Sequence, residues 1–340
     1  DRRILLLTLY SEGLEGWSEC VVGEDPAYSY EFTDTAWHVL TEFILPGIVG
    51  RDAEGPEDIL APVRWVRGHN MAKAAVEMAG WDLAAQADGV SLSKKLGGDR
   101  DVVPVGVSIG LKATDAELHE SVEGYLEDGY ARVKIKIKPG RDIEMLGGLR
   151  ERFPDVAFMA DANSAYTLGD MARLQELDAL DLMMIEQPLS YDDFLDHARL
   201  QERISTPVCL DESIKSEGDL ALALELGSCQ IVNIKPGRVG GLAVSRRLHD
   251  TMQARGMPVW CGGMLECGVG RAYNVALASL PGFTLPGDIS ASQRYWEQDI
   301  VTPEFEVEDG VMRVPTGVGL GVELDLDRIH GLTVREAAFG

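Results

Sequence analysis

From residue 103 onward the chain alternates short apolar runs with amphipathic stretches, eight times over. The runs are VPVGVSIG (103–110), RVKIKIK (132–138), AFMADAN (157–163), LMMIEQP (182–188), VCLDES (208–213), IVNIKP (231–236), PVWCGGM (258–264) and FTLPGDIS (283–290). Between them lie helix-like stretches such as DAELHESVEGYLEDG and GGLAVSRRLHDTMQARG. Strand–helix alternation builds βαβ units around a parallel sheet. Eight units spaced by about 25 residues predict closure into a (β/α)8-type barrel. A doubly wound open sheet is the alternative, but no GxGxxG follows the first run and eight units is long for it.

The first hundred residues follow another pattern. RILLLTLY and GWSECVVG flank SEGLEG and predict an antiparallel hairpin. Helical patterns follow at 33–46 and 69–87, the second with an apolar stripe at i, i+3, i+4 spacing. LGGDRD marks a linker, and FEVEDGVMRV predicts a late hairpin around Glu308-Asp309-Gly310. The expected organisation is an α+β capping domain over 1–98, the barrel over 99–296, and a segment over 297–340 returning to the cap. The chain opens at Asp1, without methionine and almost directly on RILLLTLY, so we expect an N-terminal piece to precede it in the full protein.

Charge then singles out a site. In RVKIKIKPG, Lys134, Lys136 and Lys138 alternate with Val133, Ile135 and Ile137, so an extended strand puts all three lysines on one face. The chain carries 56 acidic against 31 basic residues, net −25, so a lysine row stands out. The same balance argues against nucleic-acid or anionic-membrane partners, which need a basic footprint. Lys136, Asp161, Glu186, Asp211 and Lys235 recur at intervals of 25, 25, 25 and 24 residues, each near the C-terminal end of a different predicted strand. Active sites of such barrels lie at that face. Three converging carboxylates repel unless a cation neutralises them. Oxygen donors without His or Cys suit a hard ion, Mg²⁺ first and Mn²⁺ second. A lysine beside other cations loses its proton more readily and can serve as a base. Two lysines flanking a metal site could each reach one face of a carbon acid.

Plainer readings exist for single residues. Asp211-Glu212-Ser213 could cap the next helix, and Lys134 could merely pair with a carboxylate. Lys138, beside Pro139-Gly140, reads as a solvated rim residue. Cys261 and Cys267, like Trp260 and Trp81, read as packing. The common phase of five charged residues has no such plain explanation.

With VKIKIKPG, DANSAYT, IEQPL, CLDESI, QIVNIKPGRVGG and PVWCGGMLECGVGR, the sequence resembles the enolase superfamily, in its muconate-lactonizing-enzyme-like branch. Within that branch it is most similar to the o-succinylbenzoate synthase / N-succinylamino acid racemase family, from GWSEC through KAAVEMAGWDL to PTGVGLGV. The resemblance implies catalytic lysines at Lys136 and Lys235, with Lys134 as the electrostatic helper of Lys136. It implies metal ligands at Asp161, Glu186 and Asp211, with Asn163 in support. Ser108, Gly263, Met264 and Asp288 would line the substrate pocket, and Tyr28 would reach in from the cap. The family also has a strand and a mobile specificity loop ahead of RILLLTLY, which the sequence as given does not contain.

The implied chemistry is Mg²⁺-dependent removal of an α-proton from a small carboxylate substrate. It leads to dehydration to o-succinylbenzoate in menaquinone biosynthesis, racemisation of N-succinyl or other N-acyl amino acids, or both. Dipeptide epimerisation and muconate cycloisomerisation are the rivals within the superfamily, and a catalytically silent binding or scaffold barrel is the rival outside it. None of the six histidines falls at a predicted barrel strand end, against the branch with a histidine base. The five scattered cysteines read as reduced thiols. No run reaches the roughly 20 apolar residues of a membrane helix, and no signal peptide is visible. We therefore expect a cytoplasmic homo-oligomer, an octamer or a dimer.

Overall fold

A computed structural model describes residues 2–340. The expected hairpin is β1 (Leu5–Ser11) paired with β2 (Leu14–Cys20), Ser11 facing Leu14. The turn is only Glu12-Gly13, both at positive φ, the tight geometry that matches strand twist. Helix Asn70–Ala87 packs on this hairpin, and a second helical segment begins at Thr33–Val39. Leu5, Leu7, Cys20, Val39, Leu40, Met71 and Ala75 form their own buried cluster.

The barrel strands are β4 (Val107–Ile109), β5 (Arg132–Lys136), β6 (Ala157–Asp161), β7 (Ile185–Glu186), β8 (Val208–Leu210), β9 (Ile231–Ile234) and β10 (Val259–Cys261). All seven pair in parallel with their sequence neighbours. Helices return the chain between them; Asp115–Glu127, for example, starts from a Thr114/Glu117 capping box. Along β5 the outward Val133 and Ile135 are buried under helices, while Arg132, Lys134 and Lys136 project inward. Met159, Met184, Cys209, Ile231 and Trp260 form a separate apolar plug.

Two expectations need correction. The eighth run, 283–290, is not a regular strand: it closes the barrel through single bridges, Phe283 to Val259 and Gly287 to Val105. Pro286 has no N–H to give a ladder, so pairing is carried by Gly287 and Asp288, whose N–H groups bond Pro104 and Cys261 carbonyls at 3.0 and 2.9 Å. The late hairpin is also different. The turn at Asp309-Gly310 is present, but β11 (Val311–Arg313) pairs antiparallel with β3 (Val102–Pro104), more than 200 residues earlier, leaving only a Glu308–Val311 bridge of the hairpin. The chain then runs back to the N-terminal region, where Leu320 N–H donates to Asp82 at 3.0 Å.

Buried carboxylates dock the N-terminal region onto the barrel. Glu77 accepts from the N–H groups of Leu242 and Ala243 at 2.8 and 2.9 Å, at the start of helix Leu242–Ala254. Glu19 does the same for Cys267 and Gly270 at the start of helix Gly268–Ala278. Anionic groups at helix N-termini satisfy unpaired donors and complement the helix dipole. All five cysteines are free and buried. No helix among the described residues is long and apolar enough to cross a membrane.

Burial pushes the Glu77 carboxyl up from 4.5 to about 7. A raised carboxyl favours the folded state below its unfolded pKa and loses that contribution as pH climbs through its folded value. The stability of the native protein relative to Glu77→Gln should therefore shrink by about 3 kcal/mol between pH 4.5 and 7. Urea unfolding of both proteins across that range checks it; a constant difference would contradict it.

Candidate active site

The register of the sheet assembles the site. Lys136 on β5 is the Cα partner of Asp161 on β6, which is the partner of Glu186 on β7. Asp211 follows β8 and Lys235 follows β9, so five charged side chains come from five consecutive strand ends. The lysines lie on both flanks of the carboxylates. Lys136 Nζ is 2.6 Å from Asp161 Oδ2, and Lys235 Nζ is 2.7 Å from Asp211 Oδ2. Lys134 lies deeper, 3.0 Å from Asp161, 2.9 Å from Glu186 and 2.6 Å from Asp288. Asp161, Glu186 and Asp211 are at most 1 % exposed, whereas the Lys136 side chain retains 29 %. Lys138 is exposed, beyond the end of β5.

Neighbouring side chains hold these groups. Asn163 takes a hydrogen bond from Lys136 and donates to Glu212 at 3.0 Å. Tyr28 enters from the N-terminal region: its hydroxyl donates to Asp211 at 2.9 Å and accepts from Lys235 at 3.1 Å. The Lys235 ammonium also lies 4.4 Å from the Tyr28 ring centre. Met264 packs against the hydrophobic cluster of that region. Ser108 is the register partner of Lys134, and its carbonyl accepts from Arg294. Gly263 lies against the Asp288 carbonyl, close enough that a Cβ would meet it at 2.3 Å. The Asp288 carboxylate is engaged by Lys134 and Arg132.

Three contributors were not singled out from the sequence. Arg238 forms an ion pair with Asp211 and donates to the Ile214 carbonyl at 2.7 Å. Asn233 donates to Glu186 Oε1 at 2.8 Å. Arg132 pairs with Asp288 at 2.6 Å. A signal existed for two of them. Arg132 shares the inward phase of the lysine row, and Arg238 follows Lys235 by three residues, one helical turn.

Electrostatics follow from burial and pairing. Burial, then repulsion from Asp161, pushes the Glu186 carboxyl up. Burial works against the Asp211 carboxylate too, but Lys235 and Arg238 outweigh it and hold it well below the usual range. Burial likewise opposes the Lys235 ammonium, and Asp211 more than compensates, raising it. Burial opposes the Lys134 ammonium as well, and Asp161, Asp288 and Glu186 together outweigh it, raising it.

No three His, Cys, Asp or Glu side chains among the described residues are gathered closely enough to hold a metal ion as they stand. The reason is visible: Lys134 spans Asp161 and Glu186, while Asp211 is drawn to Lys235 and Arg238. The donor set nevertheless fits a hard cation, with carboxylate oxygens on three adjacent strand ends already sharing positive charge. Glu212 Oε2 and Asn233 Oδ1 are buried without a hydrogen-bond partner beside them.

Fold and site define a barrel enzyme of the enolase type, with lysines on both flanks of strand-end carboxylates. Residues 117–328 match the family described as "Enolase C-terminal domain-like", and residues 1–97 match the "Mandelate racemase / muconate lactonizing enzyme, N-terminal domain". The chain is 51% identical over 330 residues to an o-succinylbenzoate synthase of Geobacillus kaustophilus, covering 97% of this chain and 88% of that protein. It is 50% identical over 333 residues to an N-succinylamino acid racemase of Thermus thermophilus, covering 98% and 90%. The solved structure of an enolase-superfamily member from Listeria innocua superposes with a TM-score of 0.93 at 44% identity, covering 96% of this chain and 89% of that one. The chain belongs to the enolase superfamily, in its mandelate racemase / muconate lactonizing enzyme branch, within the o-succinylbenzoate synthase / N-succinylamino acid racemase family.

Gly262 makes room for the site: a Cβ there would lie 2.2 Å from Asn233 Oδ1 and 2.6 Å from Lys235 Cε. Gly262→Ala should cost about 1–3 kcal/mol of stability and displace the Lys235 side chain. Denaturant unfolding with a crystal structure of the variant checks this, and an unmoved Lys235 would refute it.

Proposed function

We propose that the chain is a Mg²⁺-dependent enzyme that removes the α-proton of a small carboxylate substrate. The reaction completes as dehydration to o-succinylbenzoate, as racemisation of an N-succinylamino acid, or as both. The observation that carries this reading is the pair Lys136 and Lys235 on opposite flanks of Asp161, Glu186 and Asp211. Relatives of about half identity are named for one activity or the other, which supports keeping the two outcomes together.

In this reading Asp161, Glu186 and Asp211 hold the metal ion. Bound there, Mg²⁺ would supply positive charge that stabilises the developing enolate. Lys136 addresses one face of the α-carbon and Lys235 the other. One lysine takes the α-proton as the C–H electron pair passes into the enolate. For racemisation, the opposite lysine returns a proton to the other face of the same carbon. For dehydration, the enolate electron pair instead forms the new double bond as the C–O bond breaks, and the lysine that took the α-proton passes it to the departing β-hydroxyl, which leaves as water.

Asn163 steers the Lys136 ammonium, and Tyr28 with Arg238 fixes the Asp211–Lys235 pair. Ser108, Gly263, Met264 and the backbone at Asp288 form the wall on which the substrate side chain rests. We place the capping domain over 1–98, the barrel over 99–296 and the returning segment over 297–340. We also propose a cytoplasmic homo-oligomer of even number, a dimer or octamer; sedimentation of monomer alone at micromolar concentration would contradict that assembly.

Assays of both reactions test the function. Protein stripped with EDTA should be inactive, and Mg²⁺ should restore it; full activity after metal removal would defeat the reading. Glu186→Gln should keep the fold, weaken metal binding and lower turnover by about 10²-fold or more. Lys138→Ala should leave turnover within about twofold of the native protein, because a solvated rim charge contributes little.

A further inference from the structure

Lys134 raises a problem that the proposed metal site makes acute. Its ammonium has three carboxylate partners, Asp161, Glu186 and Asp288. Two of these belong to the proposed ligand set. Engaged by a divalent cation, they would leave a side chain only 5 % exposed facing a like charge unless a third partner remained. Asp288 is that partner, at 2.6 Å and outside the ligand set.

Asp288 is itself fastened. Its other oxygen accepts from Arg132 at 2.6 Å, and Arg132 donates from its second amino group to the Pro286 carbonyl at 2.7 Å. Arg132 is 1 % exposed and fits only because position 106 is glycine: a Cβ there would lie 2.5 Å from the guanidinium carbon. Trp260 floors the array, with the Arg132 guanidinium 5.4 Å and the Lys134 ammonium 5.2 Å from its ring centre.

We infer that Asp288, anchored by Arg132, is a positioning residue that holds Lys134 beside the ligand carboxylates and keeps its ammonium from competing with the cation for them. This rests on the metal-ligand assignment proposed above. It gives the irregular eighth segment a purpose, since the carboxylate comes from the residue whose backbone closes the barrel.

Isothermal titration calorimetry of the full chain with Mg²⁺ alone tests the inference. Asp288→Asn should weaken Mg²⁺ binding about tenfold or more, because Lys134 then leans on Asp161 and Glu186 alone; coupled charges in one network interact on this scale. In a Lys134→Met background the same substitution should change affinity by less than about twofold. Equal losses with and without Lys134, or native affinity in Asp288→Asn, would overturn the inference. A native protein that binds no Mg²⁺ would defeat the ligand assignment and this inference with it. Should a single variant fail to fold, Arg132→Met combined with Asp288→Asn removes one charge of each sign and leaves the net field unchanged. That pair should show the same tenfold loss, and native affinity there would equally overturn the inference.

Discussion

Everything at the mouth of this barrel depends on keeping like charges together in a place with little water. Asp161, Glu186 and Asp211 are buried at neighbouring strand ends, and each would be costly there alone. Three ammonium groups and a guanidinium make the arrangement tenable: Lys134 between Asp161 and Glu186, Lys136 on Asp161, Lys235 and Arg238 on Asp211. The two lysines proposed for proton transfer are thus among the groups that balance the carboxylates. Catalytic placement and local stability are one electrostatic problem.

The rest of the fold serves that array. Parallel strands in consecutive order bring the charged residues to one face without any single loop determining the geometry. Glu77 and Glu19 hold the N-terminal region against the starts of two barrel helices. That docking fixes Tyr28, whose hydroxyl reaches both Asp211 and Lys235. A movement of the cap would therefore disturb the charge balance on the Lys235 flank before any substrate contact changed.

Much of this was legible in the sequence, for a physical reason. A strand, a helix and two short connections occupy a nearly constant length, so residues at strand ends recur with the period of the fold. Five charged residues kept that period, and the structure brings all five together. The period-two row in RVKIKIKPG likewise located the inward face of β5, and Lys138, past the strand end, is exposed. What stayed hidden depends on contacts distant in sequence. Nothing local announces that β11 pairs with β3, or that Glu77 caps a helix starting at Leu242. FTLPGDIS reads as a strand by hydrophobicity, but Pro286 breaks its ladder.

The central claim is that Lys136 and Lys235 act from opposite faces of one α-carbon. Exchange of the α-proton in deuterated water, followed separately for each enantiomer of an N-succinylamino acid, tests it most directly. With Lys136→Ala, racemisation should stop in both directions while exchange persists for the enantiomer whose proton faces Lys235. With Lys235→Ala the surviving enantiomer should be the other one. The lost exchange should fall by about 10²–10⁴-fold in each case. Loss of exchange for the same enantiomer in both variants would place the two lysines on one face and contradict the account.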